Sequence, residues 1–87
     1  MKLKGKNVFL TGGSRGIGKF ICNALASEGA NVAFTYVSSE DKAKDVSSEI
    51  MNYGVQGLSF QCDVRDRETL KKIVNELDER WDCIDVL

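Results

Sequence analysis

Short apolar segments alternate along this chain with segments whose apolar residues recur at helical spacing. The apolar segments cover residues 7–11, 31–37 and 57–62, and the middle one is rich in the β-branched and aromatic residues typical of strands. Helical spacing begins at Gly16, at Glu40 and behind Asp66. Strands that alternate with helices of this length predict right-handed crossovers, and therefore an α/β fold with a doubly wound parallel sheet.

Each predicted helix also carries a start or stop signal. Gly29 is a stop for the first helix, Ser38 and Ser39 are caps for the second, which ends near Gly54, and Asp66 caps the third. The apolar stripes are Ile17, Ile21, Leu25 and Ala26 in the first helix; Ala43, Val46, Ile50 and Met51 in the second; and Leu70, Ile73, Val74, Leu77 and Trp81 in the third.

Residues 84–87 begin a fourth apolar run, and the sequence ends inside it. A doubly wound fold needs both halves of its sheet. We therefore expect residues 1–87 to be the N-terminal part of a single domain, with three βα units and the start of strand four, in a longer protein.

Composition restricts the classes of function. The 12 Lys and Arg against 13 Asp and Glu give a net charge of −1 without an evident basic face, which argues against a nucleic-acid partner. Histidine is absent and the carboxylates are spread along the chain, which argues against a metal site or a histidine-based nucleophile mechanism in these residues.

Three separated cysteines suit a reducing compartment, and the first apolar run is too short for a signal peptide or membrane span. We expect a cytoplasmic protein.

The most informative segment, Thr11–Gly18, reads Thr-Gly-Gly-Ser-Arg-Gly-Ile-Gly and lies where the first strand turns into the first helix. The N–H groups and positive dipole end of a helix attract a phosphate at such a place, and glycines let the backbone approach it without a Cβ. Glycines at positions 12, 16 and 18 therefore predict a phosphate-binding turn rather than a simple connection.

Two better-known phosphate loops match this segment less well. Residues 13–19 satisfy the first seven positions of the P-loop pattern, and Asp63 suits its magnesium-side acid. Phe20, however, stands where the P-loop needs a Ser or Thr hydroxyl, and we expect it to be a core residue. The Gly-x-Gly-x-x-Gly pattern fails because Ile21 occupies the place of its third glycine when counted from Gly16. A P-loop-like nucleotide-binding protein stays an alternative.

The turn resembles the Thr-Gly-x-x-x-Gly-Ile-Gly signature of the short-chain dehydrogenase/reductase family, which it matches at every fixed position. Further similarity covers Lys-Gly-Lys at 4–6, Glu-Gly-Ala at 28–30, Cys-Asp-Val at 62–64 and Ile-Asp-Val-Leu at 84–87. Within the family, residues 14–18 and 36–40 look most like bacterial β-ketoacyl-acyl-carrier-protein reductases. The resemblance implies a Rossmann-type sheet that binds a nicotinamide cofactor.

The family pattern assigns roles to individual positions. It places Gly12, Gly16 and Gly18 in the turn around the pyrophosphate, where Ile17 contacts it through its backbone, and Ser14 in the same segment is a further candidate for cofactor binding. The resemblance also implies that Asp63 binds the adenine amino group and that Val64 packs nearby. From the residues alone, Asp63 is as readily a cap after strand three.

The end of the second strand decides between NAD and NADP. NAD-selective sites usually place a carboxylate about 20 residues after the turn, where this chain has Tyr36. Ser38 and Ser39 can donate hydrogen bonds to a 2′-phosphate, and Arg15 can clamp it with a charge-assisted pair. Glu40 and Asp41 lie close in sequence and argue the other way, although a helix start explains them. We expect NADP.

The family's catalytic pair, a tyrosine followed four residues later by a lysine, is absent from these residues. Glu40 and Gly57 stand four residues after Tyr36 and Tyr53, so no catalytic residue is assigned. The resemblance implies an NADPH-dependent reductase of a carbonyl, a 3-oxoacyl thioester or related ketone, that acts as a homo-oligomer. A non-catalytic, cofactor-sensing member of the same fold is the second alternative.

Overall fold

Three parallel strands form one sheet in the order β1-β2-β3, and a helix follows each strand. The computed structural model describes residues 2–12, 16–81 and 84. The elements are β1 Asn7–Leu10, α1 Gly16–Ser27, β2 Asn31–Tyr36, α2 Glu40–Met51, β3 Gly57–Gln61 and α3 Arg67–Arg80. The predicted doubly wound parallel α/β sheet is thus confirmed. Of the fourth strand predicted at 84–87, the structure describes Ile84, and residues 85–87 lie outside the described part of the chain.

β2 is the central strand and is buried on both faces. Residues 32–35 are all buried, which is the continuous apolar pattern expected of a parallel strand covered by helices on both sides. On one face Val32 and Phe34 pack with α1 and α2, and on the other Ala33 packs with Phe9 and α3. The α3 side of this second cluster consists of Ile73 and Leu77, together with Trp81, which directly follows the helix.

The chain ends α1 and begins α3 with local motifs that the sequence predicts. Gly29 has φ +93°, its N–H donates to the Ala26 carbonyl at 3.0 Å, and the Ala30 N–H reaches the Leu25 carbonyl at 3.2 Å. These two bonds form a Schellman motif. At α3, the Asp66 carboxylate accepts from the Thr69 N–H at 3.2 Å and so caps the helix.

The outward side of α1 differs from the prediction. Phe20 was expected in the core, but its side chain is 74% exposed, and Ile17 is 79% exposed. The reason is helical geometry: α1 buries Cys22 and Ala26 against the sheet, and Phe20 lies about 200° around the helix from Cys22. The case against a P-loop rests on the missing hydroxyl at position 20 and is unaffected.

None of the helices in residues 2–12, 16–81 and 84 is long and apolar enough to cross a membrane.

Replacement of Gly57 by Ala should destabilise the fold, because α2 crosses β3 directly over this glycine. A Cβ at Gly57 would lie 2.7 Å from the Ser47 carbonyl oxygen and 3.0 Å from the Ile50 Cβ. Overpacking of this kind costs about 1–3 kcal/mol. We expect the free energy of unfolding of Gly57→Ala in the full-length protein, measured by urea titration, to fall by that amount. Ser59→Ala, on the same strand at a half-buried site, is the control; equal stabilities for the two variants would contradict the close packing of α2 on β3.

Candidate cofactor-binding site

A cavity of about 360 Å³ opens at the carboxyl ends of the three strands. This is the edge at which open α/β sheets bind ligands. Segments that follow β1, β2 and β3 each contribute to its wall. The lining residues are Gly12, Thr35, Tyr36, Val37, Ser38, Ser39, Cys62, Asp63 and Val64.

The turn after β1 contributes Gly12, and α1 begins four residues later at Gly16. Both glycines have positive φ, +78° and +50°, a conformation that side-chain-bearing residues rarely adopt. A Cβ added at either position would meet no atom of residues 2–12, 16–81 and 84 within 4 Å, so the space beside these two glycines is open with respect to that part of the chain. An open backbone turn at a helix N-terminus, where free N–H groups carry partial positive charge, fits an anionic pyrophosphate.

The Gly12 end of the turn is tied to β2 by Thr35. The Gly12 N–H donates to the Thr35 Oγ1 at 3.0 Å, although the two residues are 23 positions apart. The Thr35 side chain is 1% exposed.

The wall after β2 contains no carboxylate. Tyr36 is half-buried against the α1 and α2 side of the core, and Ser38 and Ser39 follow it along the cavity. Glu40 and Asp41 lie in the exposed first turn of α2, where they line a separate hollow of about 380 Å³ with Ser38 and Ser39. The Glu40 carboxylate is 3.5 Å from the Lys44 Nζ, which offsets part of its charge.

The wall after β3 carries a carboxylate held in one orientation. Asp63 Oδ2 lies 2.7 Å from Arg65 Nη2, and Asp63 Oδ1 accepts from the Arg65 backbone N–H at 2.9 Å and from Nε at 3.1 Å. The side-chain hydrogen bonds from Arg65, followed by the backbone one, lower the pKa of Asp63 to about 2. Asp63 is therefore an ionised hydrogen-bond acceptor at neutral pH, with its side chain 38% exposed.

The cysteine in this wall is not set up as a nucleophile. Cys62 is buried, and burial followed by the charges of Asp66 and Asp63 raises its thiol pKa. Burial likewise raises the pKa of Cys22 to about 11. Neither residue forms a disulfide. Cys83 lies outside the described residues.

The predicted site residues fall into three groups. The cavity brings together Gly12, Tyr36, Ser38, Ser39, Asp63 and Val64. Gly16, Ile17 and Gly18 form the first turn of α1 and are not among the residues that line it. Ser14 and Arg15 lie outside the described residues. The assignment of each residue to a part of the cofactor stays a prediction.

Three lining residues were not among the predicted site residues: Thr35, Val37 and Cys62. Each is a direct sequence neighbour of a predicted one, so extending the prediction along the strand ends would have included them. Thr35 also carried a signal of its own, since it is a polar residue inside an apolar run.

The part of the chain that the structure describes contains neither a metal-binding group of side chains nor a tyrosine followed four residues later by a lysine. No group of three or more His, Cys, Asp or Glu is arranged there to hold a metal ion. Tyr53 lies 45% exposed after the end of α2, and Tyr36 lies in the cavity wall, without a lysine four residues later in either case.

Known proteins are similar in sequence to this chain over nearly its whole length. The family model described as short chain dehydrogenase matches residues 6–87. The 3-oxoacyl-acyl-carrier-protein reductase FabG of Staphylococcus epidermidis is 40% identical over 82 residues, which are 94% of this chain and 34% of the relative. The versicolorin reductase stcU of Emericella nidulans is 35% identical over 86 residues, 99% of this chain and 33% of the relative. The chain thus spans about a third of the length of these curated relatives.

Solved structures share the fold. A short-chain dehydrogenase/reductase from Serratia marcescens superposes with a TM-score of 0.93 at 40% identity, covering 99% of this chain and 36% of that one. A short chain dehydrogenase from Burkholderia cenocepacia in complex with NADP gives a TM-score of 0.93 at 36% identity, with the same coverage. The parallel sheet, the glycine turn and the family match over residues 6–87 lead to one conclusion: the chain belongs to the short-chain dehydrogenase family.

Proposed function

We propose that the full-length protein binds NADPH in the cavity at the carboxyl ends of the strands and uses it to reduce a carbonyl group to an alcohol. The observation that carries this proposal is the composition of the cavity wall. An open glycine turn lies after β1, a stretch without carboxylates lies after β2, and an ionised carboxylate lies after β3. Residues 1–87 are then the N-terminal part of one cofactor-binding domain.

The pyrophosphate and the adenine of the cofactor need different binding groups. Gly12, Ser14, Gly16 and Gly18 would surround the pyrophosphate, and Ile17 would contact it through its backbone. Asp63 would accept a hydrogen bond from the adenine amino group, which the ionised carboxylate can do while paired with Arg65. Val64, 51% exposed beside it, would pack against the adenine.

The 2′-phosphate would lie against Tyr36 and Ser38, with Arg15 supplying the charge. Tyr36 does not repel a phosphate as a carboxylate would, and Ser38 can donate a hydrogen bond to it. The NADP complex of the Burkholderia cenocepacia relative supports this choice of cofactor.

NADPH would supply the hydride, and the residues of this segment would bind and orient it. The groups that hold the carbonyl and donate a proton are assigned to the remainder of the protein. The name of the Staphylococcus epidermidis relative supports a 3-oxoacyl thioester as substrate. Acyl carrier protein as substrate carrier, a homo-oligomeric assembly and a cytoplasmic location belong to the same proposal.

A binding and turnover experiment on the full-length protein tests it. We expect NADPH to bind in a fluorescence titration, ATP with magnesium to leave it bound, and an acetoacetyl thioester to cause NADPH oxidation. Displacement of NADPH by ATP would favour the P-loop alternative. Tight NADPH binding without oxidation by any thioester or ketone would favour a cofactor sensor.

A further inference from the structure

Thr35 is the one polar side chain among the buried residues of the described chain. It lies near the end of β2, after Ala33, whose side chain packs on the face covered by α3. Its hydroxyl is buried in a strand where valine would have nearly the same shape and a lower desolvation cost. A buried hydroxyl at such a position requires a hydrogen-bond partner, and the structure provides one.

The partner is the amide of Gly12. The β1–β2 ladder ends at the pair Leu10 and Phe34, so β1 has already left the sheet at Gly12. The 3.0 Å bond from the Gly12 N–H to the Thr35 Oγ1 therefore adds one further connection beyond the ladder. It holds the chain at the residue where φ changes to +78° and the glycine turn begins.

The direction of this bond defines what Thr35 does. The Gly12 N–H donates its hydrogen bond to Thr35 and not to a ligand. The bond therefore orients the turn from the side of β2, while the space on the side of the Gly12 Cα where a Cβ would project stays open. A turn fixed before the ligand arrives loses less conformational freedom on binding.

We propose that Thr35 is a positioning residue whose buried hydroxyl fixes Gly12 in the conformation that the glycine turn needs to receive the pyrophosphate. The inference rests on the proposed function and deepens it. It also makes a specific claim, since Thr35 should matter for the pyrophosphate and not for the adenosine 2′-phosphate end of the ligand.

The test compares two ligands and two variants of the full-length protein. NADP⁺ contains the pyrophosphate, whereas adenosine 2′-monophosphate has the adenine, the ribose and the 2′-phosphate only. We expect Thr35→Val to weaken NADP⁺ by about tenfold, as the loss of one oriented hydrogen bond does, and to leave adenosine 2′-monophosphate within about twofold. Thr35→Ser keeps the hydroxyl and should retain wild-type affinity for both. In turnover, Thr35→Val should raise the KM for NADPH and leave kcat nearly unchanged.

Unchanged NADP⁺ affinity in Thr35→Val would overturn the role of Thr35, and so would equal weakening of both ligands, which indicates general loosening of the cavity. Failure of the wild-type protein to bind either ligand would remove the proposed function and this role with it. If Thr35→Val does not fold, amide exchange of the wild-type protein decides. The Gly12 amide should exchange at least about tenfold more slowly than an unstructured glycine amide; exchange at the unstructured rate would overturn the inference.

Discussion

Gly12→Val should reduce the NADPH affinity of the full-length protein at least about a hundredfold, or about 2.8 kcal/mol. Two effects add at this position. Gly12 has φ +78°, where a β-branched residue is strongly disfavoured, so the turn would shift away from its native conformation. An added side chain would also project into the open space of the turn, which in our assignment the pyrophosphate occupies. Equilibrium titration of NADPH fluorescence measures the loss.

Gly5→Val provides a matched control. Gly5 has nearly the same conformation, with φ +82°, and a Cβ there also meets no atom within 4 Å. It precedes β1, at the other end of the strand from the cavity. The two variants should therefore lose comparable folding stability from backbone strain, while Gly5→Val should bind NADPH as the wild type does. Equal affinities for NADPH in the two variants would show that the glycine turn is not the pyrophosphate site.

Features set by short stretches of sequence could be predicted closely. The Asp66 cap and the stripe of Leu70, Ile73 and Leu77 lie within one helix, and the structure has both. Gly29 ends α1 as predicted because a left-handed residue after a helix satisfies its last carbonyls locally. The position of the cavity followed as well, since parallel strands necessarily bring their carboxyl ends to one edge.

Features that depend on distant residues could not be predicted in this way. The bond between Gly12 and Thr35 spans 23 residues and depends on the register of β1 against β2, which the apolar pattern alone does not fix. The exposure of Phe20 depends on which side of α1 faces the sheet, and an apolar residue type does not determine that. The pairing of Arg65 with Asp63 is local, but two charged neighbours in a loop form such a pair only in particular turn geometries.

Tyr36→Asp should exchange the cofactor preference, with NADPH affinity falling by about tenfold to a hundredfold and NADH affinity staying equal or rising. Tyr36 ends β2 and lies in the cavity wall, at the position where NAD-selective sites carry an acid. A carboxylate there would repel a 2′-phosphate, and the nearby Glu40 would add to the negative charge even though Lys44 is paired with it. With NADH, the same carboxylate would accept hydrogen bonds from the free ribose hydroxyls.

Tyr36→Phe separates charge from shape, because it removes the hydroxyl and keeps the half-buried ring. It should leave the ratio of NADPH to NADH affinity within about threefold of the wild type, since the contribution we assign to Tyr36 is the absence of a negative charge.

Arg15→Ala should weaken NADPH selectively, because it removes a charge-assisted contact to the 2′-phosphate. A wild-type protein that already prefers NADH, or a Tyr36→Asp variant that weakens both cofactors equally, would place the 2′-phosphate elsewhere than beside Tyr36 and Ser38.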